Sequence, residues 1–194
     1  GEGGMICTKL NKYSDIIKTL RSHGWAREIN KNSKNSWKFI NSGFNLRPTD
    51  ICAAIGINQL KKLNQILETR KKNFDLISRA LLEDKNYNNQ FEIVKNEKNT
   101  NICWFGIAII MKSLKKGYKD IVTRRLNNKG IVTRPLISGN FAQQPAVKLY
   151  KLKHTRNLKN ADFLNQNSFF IGIHNTLVTK KEINYLKNSI YSSL

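Results

Sequence analysis

Acidic residues are scarce in this chain: 13 aspartates and glutamates stand against 34 lysines and arginines, giving a formal net charge of +21 over 194 residues. With so few carboxylates, no pair has the arrangement of a glycosidase-type general acid and base. Cysteine is scarce as well. Cys7, Cys52 and Cys103 are odd in number, widely separated and without a CxxC pair. That pattern argues against a disulfide scaffold and against zinc, and for reduced thiols in a cytoplasmic setting. No apolar run approaches the roughly 20 residues of a membrane span, and Ile102 to Met111 is of strand length. The first residues lack the basic-then-apolar pattern of a secretory leader. GxSxG, HExxH and P-loop patterns are missing too. His23, His154 and His174 have no metal-like spacing, so no metal site is expected. From the residues alone, the chain holds no self-contained catalytic constellation.

The large positive charge raises nucleic acid as a partner. The lysines, however, are scattered in ones and twos (Lys61-Lys62, Lys71-Lys72, Lys115-Lys116, Lys180-Lys181). No zinc-finger spacing, aromatic RNA-binding motif or basic zipper accompanies them. A solvated basic surface is the favoured reading, and nucleic-acid binding is disfavoured.

What is present reads as alternating elements. GEGGMICT predicts a glycine-rich loop feeding a buried strand at Met5 to Cys7, because glycine allows positive φ and close backbone approach. Ser14 is placed to cap a helix through Ile16, Ile17 and Leu20, with Gly24 as its stop. The polar stretch NKNSKNS predicts a surface loop, and Trp37 to Ile40 a short strand. In SGFNLRPTD, Thr49 or Asp50 is placed to cap the next helix. Leu60, Leu63, Leu67, Phe74, Ile77 and Leu81 then recur at helical spacing and predict one continuous stripe. Further on, the predicted strands are Phe91 to Val94, Ile102 to Met111, IVTR and SFFIGI. The predicted helices are Tyr118 to Asn127, Asn157 to Asn165, and one opened by the T-K-K-E capping box at Thr179. Together these imply an α/β fold, a short sheet with helices packed on it.

Two loops carry candidate chemistry. In GFNLRPTD, Asn45 and Arg47 precede a helix N-terminus, which favours an anion; a capped turn explains the same residues. In TRPLISGNFAQQP, Arg134 leaves a strand, and Ser138, Asn140, Gln143 and Gln144 crowd donors and acceptors behind it. Arginine clasps phosphate bidentately and amides suit sugar or base groups; a polar surface loop is the competing account. His174, just after FFIGI, stands at the edge of this set.

GEGGMICT, RSHGW, GFNLRPTDICAAIGINQLKKL and the downstream RKKNF, in that order, resemble the DegT/DnrJ-type nucleotide-sugar aminotransferases and dehydratases. These are fold type I pyridoxal-phosphate enzymes, and the likeness covers nearly the whole chain. RPLISGNFAQQP followed by SFFIGIH is similar to the subgroup of 3-dehydratases acting on 4-keto-6-deoxy sugars.

The resemblance implies a C-terminal portion of such an enzyme. Residues 1–65 would be the last piece of the large domain, and residues 66–194 a small α/β domain. It implies that the catalytic lysine of an aminotransferase, or histidine of a dehydratase, precedes Gly1, so that no catalytic residue is expected within these residues and the chain by itself should be inactive. It implies pyridoxal 5'-phosphate or pyridoxamine 5'-phosphate in the whole enzyme, not held by this portion alone. A two-fold homodimer with shared sites follows, with Asn45 reaching the cofactor phosphate of the neighbouring subunit. Arg134, Asn140, Gln144 and His174 would face the sugar nucleotide. The implied setting is surface-polysaccharide or deoxysugar biosynthesis. A sugar aminotransferase and a non-catalytic sugar-nucleotide binding or dimerisation module are the alternatives.

Overall fold

The structure is a computed structural model and describes residues 3–30, 34, 37–100, 102–113, 115–150 and 157–194. The chain divides into two compact units, Gly1–Leu63 and Asn64–Leu194.

The first unit is built around helix α1 (Asn11–Arg21), a 3₁₀ turn (Ala26–Glu28) and helix α2 (Asp50–Leu60). Helix α1 starts three residues before Ser14. The Leu10 carbonyl accepts from the Tyr13 and Ser14 N–H groups at 3.0 and 3.1 Å, so backbone bonding opens the helix without a side-chain cap. The helix ends where His23 and Gly24 take left-handed φ of 58° and 83°. The chain then returns along this corner. His23 N–H donates to Phe44 O (2.9 Å), Phe44 N–H to Leu20 O (2.7 Å), Leu46 N–H to Arg21 O (2.9 Å) and Ile40 N–H to Gly24 O (2.9 Å). The approach is so close that a Cβ on Gly24 would meet Asn41 O at 1.8 Å, and one on Gly43 would meet Gly24 N at 2.2 Å. The glycines of HGW and SGFN are therefore required at one backbone crossing.

Two expectations fail in this unit. Met5 to Cys7 is not a strand; Met5 and Ile6 are 88% and 70% exposed. Trp37 to Ile40 gives only an isolated bridge, Trp25 to Phe39. A strand needs a neighbour for its backbone groups, and among the described residues this unit offers no sheet. Gly3 and Gly4 have no positive φ, while Gly1 and Glu2, and most of NKNSKNS, lie outside the described residues.

Thr49 caps α2, its Oγ1 accepting from Cys52 N–H at 3.3 Å. The expected continuous stripe is broken after Leu60: a turn at Lys61 and Lys62 separates α2 from α3 (Leu63–Leu82). Leu60 and Leu63 stay exposed, whereas Phe74, Ile77 and Leu81 enter the core.

The second unit continues with β1 (Phe91–Ile93), β2 (Gly106–Met111), α4 (Tyr118–Asn128), β3 (Thr133–Pro135), a 3₁₀ turn (Phe141–Gln143), α5 (Pro145–Leu149), α6 (Lys159–Asn167), β4 (Ser168–Gly172) and α7 (Lys180–Tyr191). The four strands form one antiparallel sheet in the order β1-β2-β4-β3. Central β2, GIAIIM, is an apolar run because both of its faces are covered. Ile107, Ile109 and Met111 join Phe91, Phe169, Ile171, Val122, Leu126, Leu81 and Ile190 in a single core. This is the expected mixed α/β architecture, a short sheet with packed helices. Strand β2 begins at Gly106 rather than Ile102, and Trp104 instead stacks on Phe74 of α3 at 4.5 Å and 8°.

Helix α7 closes the unit. Its Tyr191 hydroxyl donates to the Leu81 carbonyl, and burial first, then Asp84 and Tyr87, push the phenol from 10.0 up to about 12. A raised phenol contributes stability in full below its unfolded value, lost as pH climbs from about 10 toward 12. Tyr191→Phe is expected to cost about 1 kcal/mol at neutral pH and to abolish that alkaline loss. Urea denaturation of both proteins from about pH 8 to about pH 11 checks it; parallel pH profiles would refute it.

Candidate functional site

Edge strand β3 and the end of β4 open onto a cavity of about 430 Å³, walled on its far side by α7 and reaching Ile77 of α3. That volume falls within the range of small-molecule sites. Most of the lining is apolar: Ile131, Val132, Phe170, Ile171, Ile173, Val178, Ile183 and Leu186. Four polar side chains interrupt it, namely Arg134, His174, Glu182 and Tyr185. Arg134 sits opposite Phe170 in the β3–β4 register and is exposed. The strand that carries it is tied to α4 by Asn127, whose Oδ1 accepts from Thr133 N–H at 3.0 Å and Thr133 Oγ1 at 3.3 Å.

Glu182 is fixed by the capping box read from the sequence. Its carboxylate accepts from Thr179 N–H and from Thr179 Oγ1, both at 2.7 Å. The Thr179 backbone bond first, the hydroxyl next, and the nearby His174 hold the carboxyl below its ordinary value. Tyr185 donates its hydroxyl to Lys129 O at 2.7 Å.

His174 lies on an exposed loop between β4 and α7, and that loop is held from beneath by Asn73 of α3. Asn73 is fully buried. Its Nδ2 donates to His174 O at 3.0 Å and Thr176 O at 2.8 Å, and its Oδ1 accepts from Val178 N–H at 3.0 Å. One amide thus satisfies three backbone groups that the loop could not pair internally. Sequence reasoning assigned Asn73 no role. The available signal was its phase: 73, 77 and 81 follow at intervals of four, placing an asparagine on the face that Ile77 and Leu81 turn to the core.

The structure thus brings Arg134 and His174 to one cavity. Asn140 and Gln144 flank the 3₁₀ turn that follows β3. Asn140 is only 4% exposed. Its Oδ1 accepts from Ala142 N–H at 3.0 Å, and its Nδ2 donates to Asp162 Oδ1 of α6 at 2.7 Å. Both ends of this amide are engaged in holding the loop to α6. Gln143 adds a second amide bond to the same Asp162 oxygen. Gln144 is half-buried and serves as the backbone N-cap of α5. In the same loop Ile137 has φ of 51°, a left-handed conformation that a β-branched residue adopts only under strain.

Asn45 belongs to the first unit. It bridges Ser22 through the backbone, and its side chain is exposed. Neighbouring Arg47 donates from Nε to Ser22 Oγ at 3.2 Å. A neutral amide donor on a loop pinned by four backbone bonds suits an anionic group such as a phosphate. His154 lies outside the described residues. No cluster of histidine, cysteine or acidic side chains fit for a metal ion occurs among the described residues. None of the described helices is long and apolar enough to cross a membrane.

The sequence model of the DegT/DnrJ/EryC1/StrS aminotransferase family matches residues 1–190, and the chain belongs to that family. Among curated relatives it is similar to a GDP-4-keto-6-deoxy-D-mannose 3-dehydratase of Escherichia coli O55:H7, at 32% identity over 96% of this chain and 49% of the relative. A protein of the same name from Yersinia pseudotuberculosis is 29% identical over 89% of this chain and 46% of its own length. A solved E. coli GDP-4-keto-6-deoxy-D-mannose-3-dehydratase with bound hydrated PLP superimposes with a TM-score of 0.80 at 29% identity, over 94% of this chain and 48% of that one. The chain spans about half the length of the relatives it matches.

Proposed function

We propose that these residues are the C-terminal portion of a pyridoxal- or pyridoxamine-phosphate-dependent enzyme that removes the C3 hydroxyl of a nucleotide-linked 4-keto-6-deoxy sugar. Residues 1–65 complete its large domain and residues 66–194 form its small domain. The reaction belongs to the cytoplasmic stage of surface-polysaccharide or deoxysugar synthesis. The observation carrying this reading is the shared cavity: Arg134 and His174, far apart in sequence, line one apolar-walled space in a chain similar along nearly its whole length to named 3-dehydratases.

The cofactor, when bound, supplies an electron sink for bond breaking next to the ketone. This chain supplies Asn45, whose exposed amide donates to the cofactor phosphate of the other subunit in a two-fold homodimer. Arg134 holds an anionic oxygen of the sugar nucleotide through its planar pair of N–H groups. His174 offers ring nitrogens to a sugar hydroxyl. Asn140 keeps the substrate loop folded, leaving Gln144 as the amide closer to substrate. The residue that moves protons at the reacting carbon belongs to the part of the enzyme preceding Gly1. The scattered lysines disfavour nucleic acid as the partner.

The test uses the polypeptide extended to full family length, loaded with pyridoxamine phosphate and supplied with glutamate and GDP-4-keto-6-deoxymannose. A 3-deoxy keto sugar by mass spectrometry is the expected product, and Arg134→Gln should raise KM about tenfold with kcat little changed. The family's own description favours a second reading, sugar aminotransferase; a 4-amino sugar as product would establish it instead. Binding of the sugar nucleotide with no turnover would leave a non-catalytic module.

A further inference from the structure

Helix α6 meets the segment between β3 and α5 with two side chains three positions apart, Asp162 and Asn165, a spacing that puts both on one helix face. Asp162 is half-buried in the first turn of the helix. One of its oxygens, Oδ1, accepts from Asn140 Nδ2 at 2.7 Å and also from Gln143 Nε2. Asn165 lies against Gly139, so close that a Cβ there would meet Asn165 Oδ1 at 2.2 Å, and its Nδ2 donates to Gln143 Oε1 at 3.5 Å. Helix α6 is in turn tied to α4, where Lys119 Nζ donates to Asn165 O at 2.7 Å. Helix α4 holds the start of the same segment through Asn127 and Thr133. Residues 133–144 are thus gripped at both ends.

Between the grips the backbone is left-handed twice, at Ile137 with φ of 51° and at Gly139 with φ of 57°. Glycine adopts that region freely, but a β-branched residue there is an outlier. Such a conformation persists only where its surroundings over-determine it. The Ile137 side chain does not supply the constraint, since it is 72% exposed. The constraint lies on either side of it. Gly139 N–H donates to Leu136 O at 2.9 Å within the turn, and the two amides that follow converge on Asp162. Because both reach a single carboxylate oxygen, one side chain controls that end of the segment.

We infer that Asp162 is a positioning residue for substrate binding: by drawing the amides of Asn140 and Gln143 to one oxygen it keeps Ile137 left-handed, and so fixes Arg134 and Gln144 in the arrangement that the sugar nucleotide meets. Without that clasp the segment relaxes out of the strained conformation. The binding-competent population then falls, and the apparent affinity falls with it. The inference deepens the proposed function and rests on it for the role of Arg134 and Gln144.

In the full-length enzyme, Asp162→Ala is expected to raise KM for the sugar nucleotide about tenfold with kcat little changed. Hydrogen exchange should show lost protection at Ala142, Gln143 and Gln144, whose N–H groups are bonded within this loop, with protection in β4 retained. Asp162→Asn keeps a carbonyl oxygen for the two amides and should recover most of the parent KM. Ile137→Asn supplies the discriminating background, because asparagine tolerates the left-handed region. With no strain to escape, Asp162→Ala should there raise KM by less than about threefold. A KM rise of equal size in both backgrounds would overturn the inference, since the clasp would then act independently of Ile137. So would a lowered melting temperature and kcat with an unaltered KM, the result of a residue that only packs α6. Lost protection with an unaltered KM would overturn it too, leaving the reaction in place and the loop outside substrate binding. Absence of a 3-deoxy product from the parent enzyme removes the proposed reaction instead; the dissociation constant of the sugar nucleotide then replaces KM, with the same expectation for each variant.

Discussion

Asn73→Leu is expected to lower the melting temperature of the second unit by about 10 °C, the outcome of leaving three backbone groups that face the buried Asn73 side chain without partners. The leucine is close to asparagine in size, so little of the loss comes from a cavity. What disappears is the pair of donors to His174 O and Thr176 O and the acceptor for Val178 N–H. At about 1 kcal/mol or more for each orphaned group the cost is about 3 kcal/mol. Asn73→Asp separates the hydrogen-bond account from packing. Its carboxylate keeps the bond from Val178 but turns acceptor oxygens toward two carbonyls, so it should be as damaging at neutral pH. Acidification would let the protonated carboxyl donate one bond, and stability should recover in part. Thermal unfolding followed by Trp104 emission measures both variants. A melting temperature within about 2 °C of the parent for Asn73→Leu would show that the loop is held by its own contacts. Since the clamp fixes the loop bearing His174, the same variants in the full-length enzyme should raise KM more than they lower kcat.

Gly24→Ala is expected to unfold the corner of the first unit while the second unit melts unchanged. A left-handed alanine alone costs about 1–2 kcal/mol. Here the added methyl also lies 1.8 Å from the Asn41 carbonyl oxygen, a backbone atom with no rotamer to retreat into. The returning segment must move, and with it go the bonds from Ile40 to Gly24, His23 to Phe44 and Phe44 to Leu20. Asn45 sits on this segment, so the loop proposed above to meet a cofactor phosphate is lost as well. Hydrogen exchange by mass spectrometry should show collapse of protection at Ile40, Phe44 and Leu46, with protection in β2 and β4 retained. Gly56 provides the control. It lies in α2 with nothing within 4 Å of a built Cβ, so Gly56→Ala should be neutral or stabilising by up to about 1 kcal/mol. Equal effects at the two glycines would refute the crossing as the cause.

The sequence alone determined whatever depends on neighbours along the chain. The Thr49 cap and the T-K-K-E box at Thr179 are local signals and appear where they were expected, and the apolar run Gly106–Met111 forms the later part of the strand expected from Ile102. Ordered motifs likewise sufficed to identify the family, whose sequence model matches residues 1–190. The exceptions have a common cause. Met5 to Cys7 has strand composition, but a strand is a pairing, and no partner strand stands beside it among the described residues. The stripe from Leu60 to Leu81 has helical period throughout, yet the period does not register the turn at Lys61 and Lys62 that ends one helix before the other begins.

Only the tertiary structure decided which polar residues hold the fold and which remain open. Asn140 and Arg134 fall in one stretch of sequence and look alike as candidates, but Asn140 is turned inward to Asp162 while Arg134 stands on the edge strand and lines one cavity with His174. Asn73 is one polar letter in an apolar stripe until its three partners, 101 to 105 residues away, explain it. Trp25, Trp37, Arg27 and Arg47 fall in a stretch of unremarkable composition and become one aromatic and cationic cluster only when the chain turns back at Gly24. A buried hydrogen bond or a stacked cation is a property of two distant segments brought together, and it is set by how the chain crosses itself.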